Sequence, residues 1–261
     1  MKNLISRRAN IVALIFSFII AFITGAFAFA PDAHAGWFEE TYPRFFSLQT
    51  PGLFQATAFG GGFGSDKYGV AQEGGQVEQS ITPYIGAFGR ATGYQLWIGN
   101  GFNSPLAPGS GNHPRLNFGR LQGGVDFTLM SGTHLYVSGG KDVGDSHANV
   151  VEGDFSSWLM LHSRHPLNGS FSSIHDFENG VTSTEIDLQT ILLSTEKYML
   201  MGGAGGALYN GGFLTESQGQ GGPDVGFYYR PWQMGVSAQA GYGSAHEYGQ
   251  LSMYKQLGWL E

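Results

Sequence analysis

Residues 231–259 read Pro-Trp-Gln-Met-Gly-Val-Ser-Ala-Gln-Ala-Gly-Tyr-Gly-Ser-Ala-His-Glu-Tyr-Gly-Gln-Leu-Ser-Met-Tyr-Lys-Gln-Leu-Gly-Trp, and their alternation decides the fold. Trp232, Met234, Val236, Ala238, Ala240 and Tyr242 fall on one parity, and Gln233, Gly235, Ser237, Gln239, Gly241 and Gly243 on the other. Successive side chains of a strand point to opposite faces, so this segment has one apolar face and one small, polar face. The second half repeats the plan, with Leu251, Met253, Leu257 and Trp259 set against Gln250, Ser252, Gln256 and Gly258. Each apolar row carries an aromatic residue near its end. Lipid on one side, an aqueous lumen on the other and an aromatic girdle at the interface produce this pattern, so the segment reads as a membrane-spanning hairpin.

The start of the chain has a different character. Lys2, Arg7 and Arg8 precede an apolar run from Ile11 to Ala30, and Ala33-His34-Ala35 has the shape of a secretory cleavage site. Residues 1–35 are therefore expected to be a cleaved signal peptide, with an uncleaved anchor as the alternative. Residues 36–51 concentrate Trp37, Phe38, Tyr42, Phe45 and Phe46 and read as an N-terminal periplasmic arm or short helix. Residues 52–261 remain for the barrel.

Composition excludes several classes. The formal charge is −7, and removal of Lys2, Arg7, Arg8 and Asp32 with the leader moves it to about −9, which argues against a nucleic-acid partner. Cysteine is absent, so the chain has no disulfide, thiolate metal site or lipid-attachment cysteine. Charged residues make up 13% and glycines number 42, against about a quarter charged in ordinary soluble domains. A soluble β-sandwich or jelly roll also alternates, but its polar face is normally rich in Lys and Glu. Here the polar faces carry Gly, Ser, Thr and Gln.

About twelve strands are expected from Leu53 onward, within a range of ten to fourteen, forming an all-β antiparallel transmembrane barrel. Leu53–Gly64, Gln76–Arg90, Thr92–Asn100, Phe118–Met130, Thr133–Lys141, Val150–Ser163, Ser170–Phe177 and Val181–Ser194 are the first eight. The ninth is marked by Tyr198 to Leu208 and the tenth by Val225 to Tyr229; the hairpin completes the set. Short links are expected near Ala91, Ser131-Gly132, Thr195-Glu196 and Pro231. Longer ones are expected over 65–75, 101–117, 142–149 and 211–222.

The residues expected to line the lumen are Arg90, Arg120, Asp126, Glu152, Asp154, Glu185, Asp187, Asp224 and Arg230, because ionisable groups at membrane depth must face water or each other. A solvated acidic pore would favour cations or polyhydroxylated solutes; a lumen closed by ion pairs and glutamines would conduct nothing. His162-Ser163-Arg164-His165 suggests hydrolysis, yet adjacent strand residues face opposite ways, so His162 cannot activate Ser163 within one strand. His147, His162, His165 and His175 have no specific metal spacing. Neither 60–62 nor 202–206 matches a phosphate loop; glycines on strands instead permit close approach of neighbours. No cofactor, catalytic residue or metal site is expected.

The terminal Tyr254-Lys255-Gln256-Leu257-Gly258-Trp259 resembles the aromatic-ending last strand of the small Gram-negative outer-membrane β-barrels, and the chain resembles that superfamily along its mature length. The resemblance implies an outer-membrane location, and it implies lipid, lipopolysaccharide and the barrel-assembly machinery as partners. Tyr254, Leu257 and Trp259 would carry the assembly signal, from which Lys255 and the trailing Leu260-Glu261 depart. The expected functions are a small-solute channel, a non-conducting structural or anchoring barrel, or an outer-membrane lipid hydrolase.

Overall fold

The computed structural model describes residues 51–65, 68–98, 115–130, 132–159, 166–178, 180–211, 218–243 and 246–260. Twelve strands follow one another: β1 (Leu53–Ser65), β2 (Tyr68–Thr82), β3 (Ile85–Ile98), β4 (Arg115–Met130), β5 (Thr133–Gly144), β6 (Asn149–Leu159), β7 (Leu167–Asp176), β8 (Val181–Ser194), β9 (Tyr198–Gly211), β10 (Gln218–Tyr229), β11 (Met234–Gly243) and β12 (His246–Leu260). Each pairs antiparallel with its sequence neighbours, and β1 closes the ring on β12 from Leu53↔Leu260 to Ser65↔Tyr248. Closure leaves no sheet edge, so the backbone polar groups of the wall bond to adjacent strands, as a hydrocarbon environment demands.

The two faces of the wall obey the parity read from the sequence. Val77, Ile81, Leu121, Val137, Ile186, Leu188, Leu192, Val225, Phe227, Leu251 and Met253 stand exposed on the outside. Large aromatics mark both ends of this belt, with Tyr84, Tyr198 and Trp232 at one and Trp97, Phe177 and Tyr242 at the other. Strands of 10 to 16 residues, tilted by about 40°, span roughly 25–40 Å, enough to cross a hydrocarbon core. Together the closed ring, the apolar belt and the paired girdles describe a transmembrane barrel. Lys255, on the same outward parity, is exposed near the end of the belt.

One end carries both barrel termini and the links 83–84, 131–132, 160–166, 195–197 and 230–233; we call it the turn end. The register shifts at Ser80/Thr82, Thr128/Met130 and Ile191/Leu193 all lie there. A 3-10 turn at Arg230–Trp232 precedes Gln233, which takes φ 51 and donates its N–H to the Arg230 carbonyl at 3.0 Å. The opposite, loop end carries 66–67, 99–114, 145–148, 177–180, 212–217 and 244–245.

The count of twelve matches expectation, but several boundaries do not. No link occurs at Ala91, which lies inside β3, and 68–75 is strand rather than loop. The real turn is Pro83-Tyr84, closed by the Tyr84 N–H on Thr82 Oγ1 at 3.2 Å. Gly74 of β2 looked like loop because it leaves room for a neighbour: a Cβ there would lie 2.8 Å from the Phe59 ring of β1. The expected long link at 142–149 shrinks to 145–148, because β5 continues through Asp142 and Val143. The seventh strand is confirmed and runs from Leu167 to Asp176.

Candidate functional site: the lumen

Even positions on β2 to β7, β10 and β12, and odd positions on β1, β8, β9 and β11, face the interior. They line a cavity of about 650 Å³ that takes side chains from strands all round the ring. Glutamines are prominent, among them Gln72, Gln76, Gln122, Gln189, Gln220, Gln239 and Gln250, with serines at 170, 172, 183, 237 and 252.

The wall from β3 to β6 holds a connected ionic network. Arg90 donates from Nε to Gln76 Oε1 at 2.9 Å and from Nη1 to both oxygens of Glu152 at 3.1 and 3.2 Å, while Nη2 lies 3.7 Å from Asp154 Oδ2. Gln122 donates to Glu152 as well, reaching past Gly140, where a Cβ would lie 2.5 Å from the Gln122 side chain. Arg120 forms a two-pronged pair with Asp142, at 2.7 and 3.0 Å, and its guanidinium lies 5.5 Å from the Tyr94 ring centre. Such parallel N–H to oxygen pairs fix geometry as well as charge.

Towards the turn end, Glu78 and Asp126 lie close together, and His134 Nδ1 sits 3.3 Å from Asp126 Oδ2 and 3.4 Å from Thr128 Oγ1. Acid and hydroxyl thus share one ring nitrogen. A hydrolytic triad needs them on opposite nitrogens, so His134 has a structural arrangement rather than a catalytic one.

The wall from β8 to β11 is built differently. Glu185, Asp187 and Asp224 face the cavity with Gln189, Gln220 and Gln239 as neighbours, and the intervening β9 presents Gly203 and Gly205 inward. Gln189 crosses over Gly203 to donate to Asp224 Oδ2. Gln239 Nε2 reaches the Gly222 carbonyl at 3.3 Å. The four ion pairs found among the described residues all lie on β3 to β6, where four carboxylates still outnumber two arginines, and Glu185, Asp187 and Asp224 add three more carboxylates on β8 to β10.

Each end of the lumen is narrowed by rings. At the loop end Tyr68 of β2 is hydrogen-bonded to Tyr209 of β9 and Gln220 of β10, and Phe63 stacks on Tyr68 and Tyr248 at 4.8 and 5.3 Å. At the turn end Ile191, Met199 and Tyr228 are buried together, with Trp158, Met201 and Tyr254 packed on them.

Of the expected lumen residues, Arg90, Arg120, Glu152, Glu185, Asp187 and Asp224 line the cavity. Asp126 and Asp154 lie on the same inner face within the ionic network. Arg230 sits at the rim of the turn end, in the 3-10 turn, donating to Ser194 Oγ at 2.9 Å. Glu78 and Asp142 were not singled out from the sequence, although both continue the inward parity of their strands. Tyr254 points inward onto Tyr228, at 6.2 Å between ring centres, and so does not belong to the outward aromatic row. The side chains of Leu257 and Trp259, and all of residues 160–165 with the His162–His165 motif, lie outside the described residues.

No family model matches the chain, and no relative is found among the curated proteins. Among solved structures it is similar to an outer-membrane channel from Pseudomonas putida F1, with a TM-score of 0.51, 8% identity, and coverage of 83% of this chain and 99% of that one. It also aligns with the KdgM porin (TM-score 0.43, 9% identity, covering 76% of this chain and 98% of the porin). A third match is the translocator domain of the autotransporter NalP from Neisseria meningitidis (TM-score 0.39, 11% identity, covering 91% and 97%). The first of these likenesses shows the fold, a closed antiparallel β-barrel.

Proposed function

We propose that the protein is an outer-membrane channel for small solutes, with an acidic lumen that favours cations and neutral polyhydroxylated molecules over anions. The observation that carries this reading is the 650 Å³ cavity, lined by glutamines, serines and charged groups together with apolar and aromatic side chains, inside a barrel with an apolar exterior. Its glutamines and serines replace solute hydration with protein hydrogen bonds, and its charge balance repels anions. Both arginines that face it are already matched to carboxylates, whereas Glu185, Asp187 and Asp224 lie apart from them. Planar-bilayer recording tests the reading: stepwise conductance with a cation-selective reversal potential in a KCl gradient is expected. The triple variant Glu185→Gln, Asp187→Asn, Asp224→Asn should then move that potential towards zero. Absence of steps at every voltage, from folded protein, would sink the channel. A non-conducting structural barrel is the second reading, and the buried cluster across the turn end favours it.

A further inference from the structure

The inner face is apolar at two levels: beside the loop end, where Tyr68, Val70 and Leu96 are buried together within the cavity lining, and near the turn end, outside that lining. There Ile191 of β8 and Met199 of β9 are 5% and 1% exposed, and Tyr228 of β10 is 5% exposed. Trp158 of β6 and Tyr254 of β12 pack against the same three residues. In the ring order β6 and β12 are six places apart out of twelve, so they stand on opposite walls. The apolar contact set therefore runs along the inner face through half of the ring, from β6 to β12.

Local structure builds this layer. The register shift between Ile191 and Leu193 brings Ile191 opposite Met201 and lets Leu193 turn outward to 49% exposure. Gly235 lies between Tyr228 and Tyr254 in the hydrogen-bonding row, and a Cβ there would come within 2.4 Å of the Tyr254 ring. The absence of a side chain lets both rings lie over β11 and extend the layer. The cavity stops short of it: Gln189 and Ser252 line the cavity, while Ile191 and Tyr254, one inward position further along the same strands, do not.

We infer that this apolar layer is the barrier that sets permeability, with Ile191, Met199 and Tyr228 as its specificity-determining residues. The inference rests on the channel reading above. A constriction poor in hydrogen-bonding groups holds little water, and an ion must shed hydration to pass it, so such a layer gates by dewetting. Solutes collected in the acidic cavity are retained until this layer wets or parts. At the loop end, by contrast, Val70 and Leu96 line the cavity together with Tyr68, Tyr209 and Gln220, so that level belongs to the solute space rather than interrupting it.

The test is single-channel conductance of the full chain in planar bilayers, for the wild type, for Ile191→Thr with Met199→Gln, and for Met199→Ser alone. The first variant adds polarity with some loss of side-chain volume, and the second changes one residue only, should the first fail to fold; heat-dependent gel mobility checks folding. A rise of at least twofold in conductance in a folded variant, or conductance appearing where the wild type has none, supports the inference. Wild-type steps that change less than twofold in every folded variant overturn it while leaving the channel reading intact. Silence from wild type and variants alike overturns both.

Discussion

Gly235→Ala gives the sharpest check on how the inner face is packed. An added Cβ would lie 2.4, 2.5 and 2.7 Å from Cε1, Cζ and Oη of Tyr254, against an ordinary contact of about 3.5–4.0 Å. The ring would have to retreat by about 1 Å. It is held by Tyr228 on one side and by the Ile191–Met199 cluster on the other, so retreat disturbs the whole layer. Overpacking of this kind destabilises by about 1–3 kcal/mol. Equilibrium urea unfolding from lipid vesicles, followed by tryptophan fluorescence, measures it. Gly249→Ala is the comparison, because a Cβ at that exposed position meets nothing within 4 Å, and it should stay within about 0.5 kcal/mol of wild type. In a Tyr254→Ala background the cost of Gly235→Ala should vanish, giving a coupling of about 1 kcal/mol or more between the two sites. A Gly235→Ala variant as stable as Gly249→Ala, or a cost that persists without the Tyr254 ring, would refute the packing described here.

Removing Arg120 leaves Asp142, whose side chain is 2% exposed, without its cation, so Arg120→Ala should destabilise by about 3 kcal/mol in the same unfolding assay. Arg120→Ala combined with Asp142→Asn should recover part of that loss, since the stranded charge is then gone. On the outer wall, Leu188→Arg should destabilise by about 2–4 kcal/mol, because Leu188 sits at mid-strand on the lipid side. The adjacent Gln189→Lys faces the lumen beside Asp224 and should change stability by less than about 1 kcal/mol; equal costs at 188 and 189 would contradict the assigned faces.

The barrel was legible because its two environments impose strict alternation, and residues such as Leu121, Val125 and Phe127 against Arg120, Gln122 and Asp126 carry that alternation openly. Strand boundaries were harder to read. Glu73-Gly74-Gly75 has the local composition of a loop, and only the Phe59 ring on the neighbouring strand explains why glycine belongs there. Non-local packing of that kind leaves no trace within a short window. Tyr94 and Leu96 posed a second difficulty: they are apolar, yet they face inward with Tyr68 and Val70, so apolar parity and lipid-facing parity part company near the loop end. The charged lumen residues were visible as ionisable groups on strands. Their division into a paired wall on β3 to β6 and an acidic wall on β8 to β10 depends on which strands stand together across the lumen. Asp142 was hidden because its strand outlasts its apolar pattern, and Arg230 was misplaced because Tyr229 is the last strand residue before the 3-10 turn.

The channel reading stands or falls on whether the hairpin at 231–259 separates lipid from an aqueous conducting lumen. The chain has no cysteine, so single cysteines at Gln250, Leu251, Ser252 and Met253 of β12 can each be probed alone, in bilayers, with a charged, membrane-impermeant thiol reagent during conductance recording. Gln250 and Ser252 line the cavity, whereas Leu251 and Met253 are 49% and 50% exposed on the outer wall. Modification at 250 and 252 should lower the current, and the reagent should leave the current unchanged at 251 and 253. Equal reactivity on both parities, or modification at 250 and 252 without effect on the current, would contradict that reading.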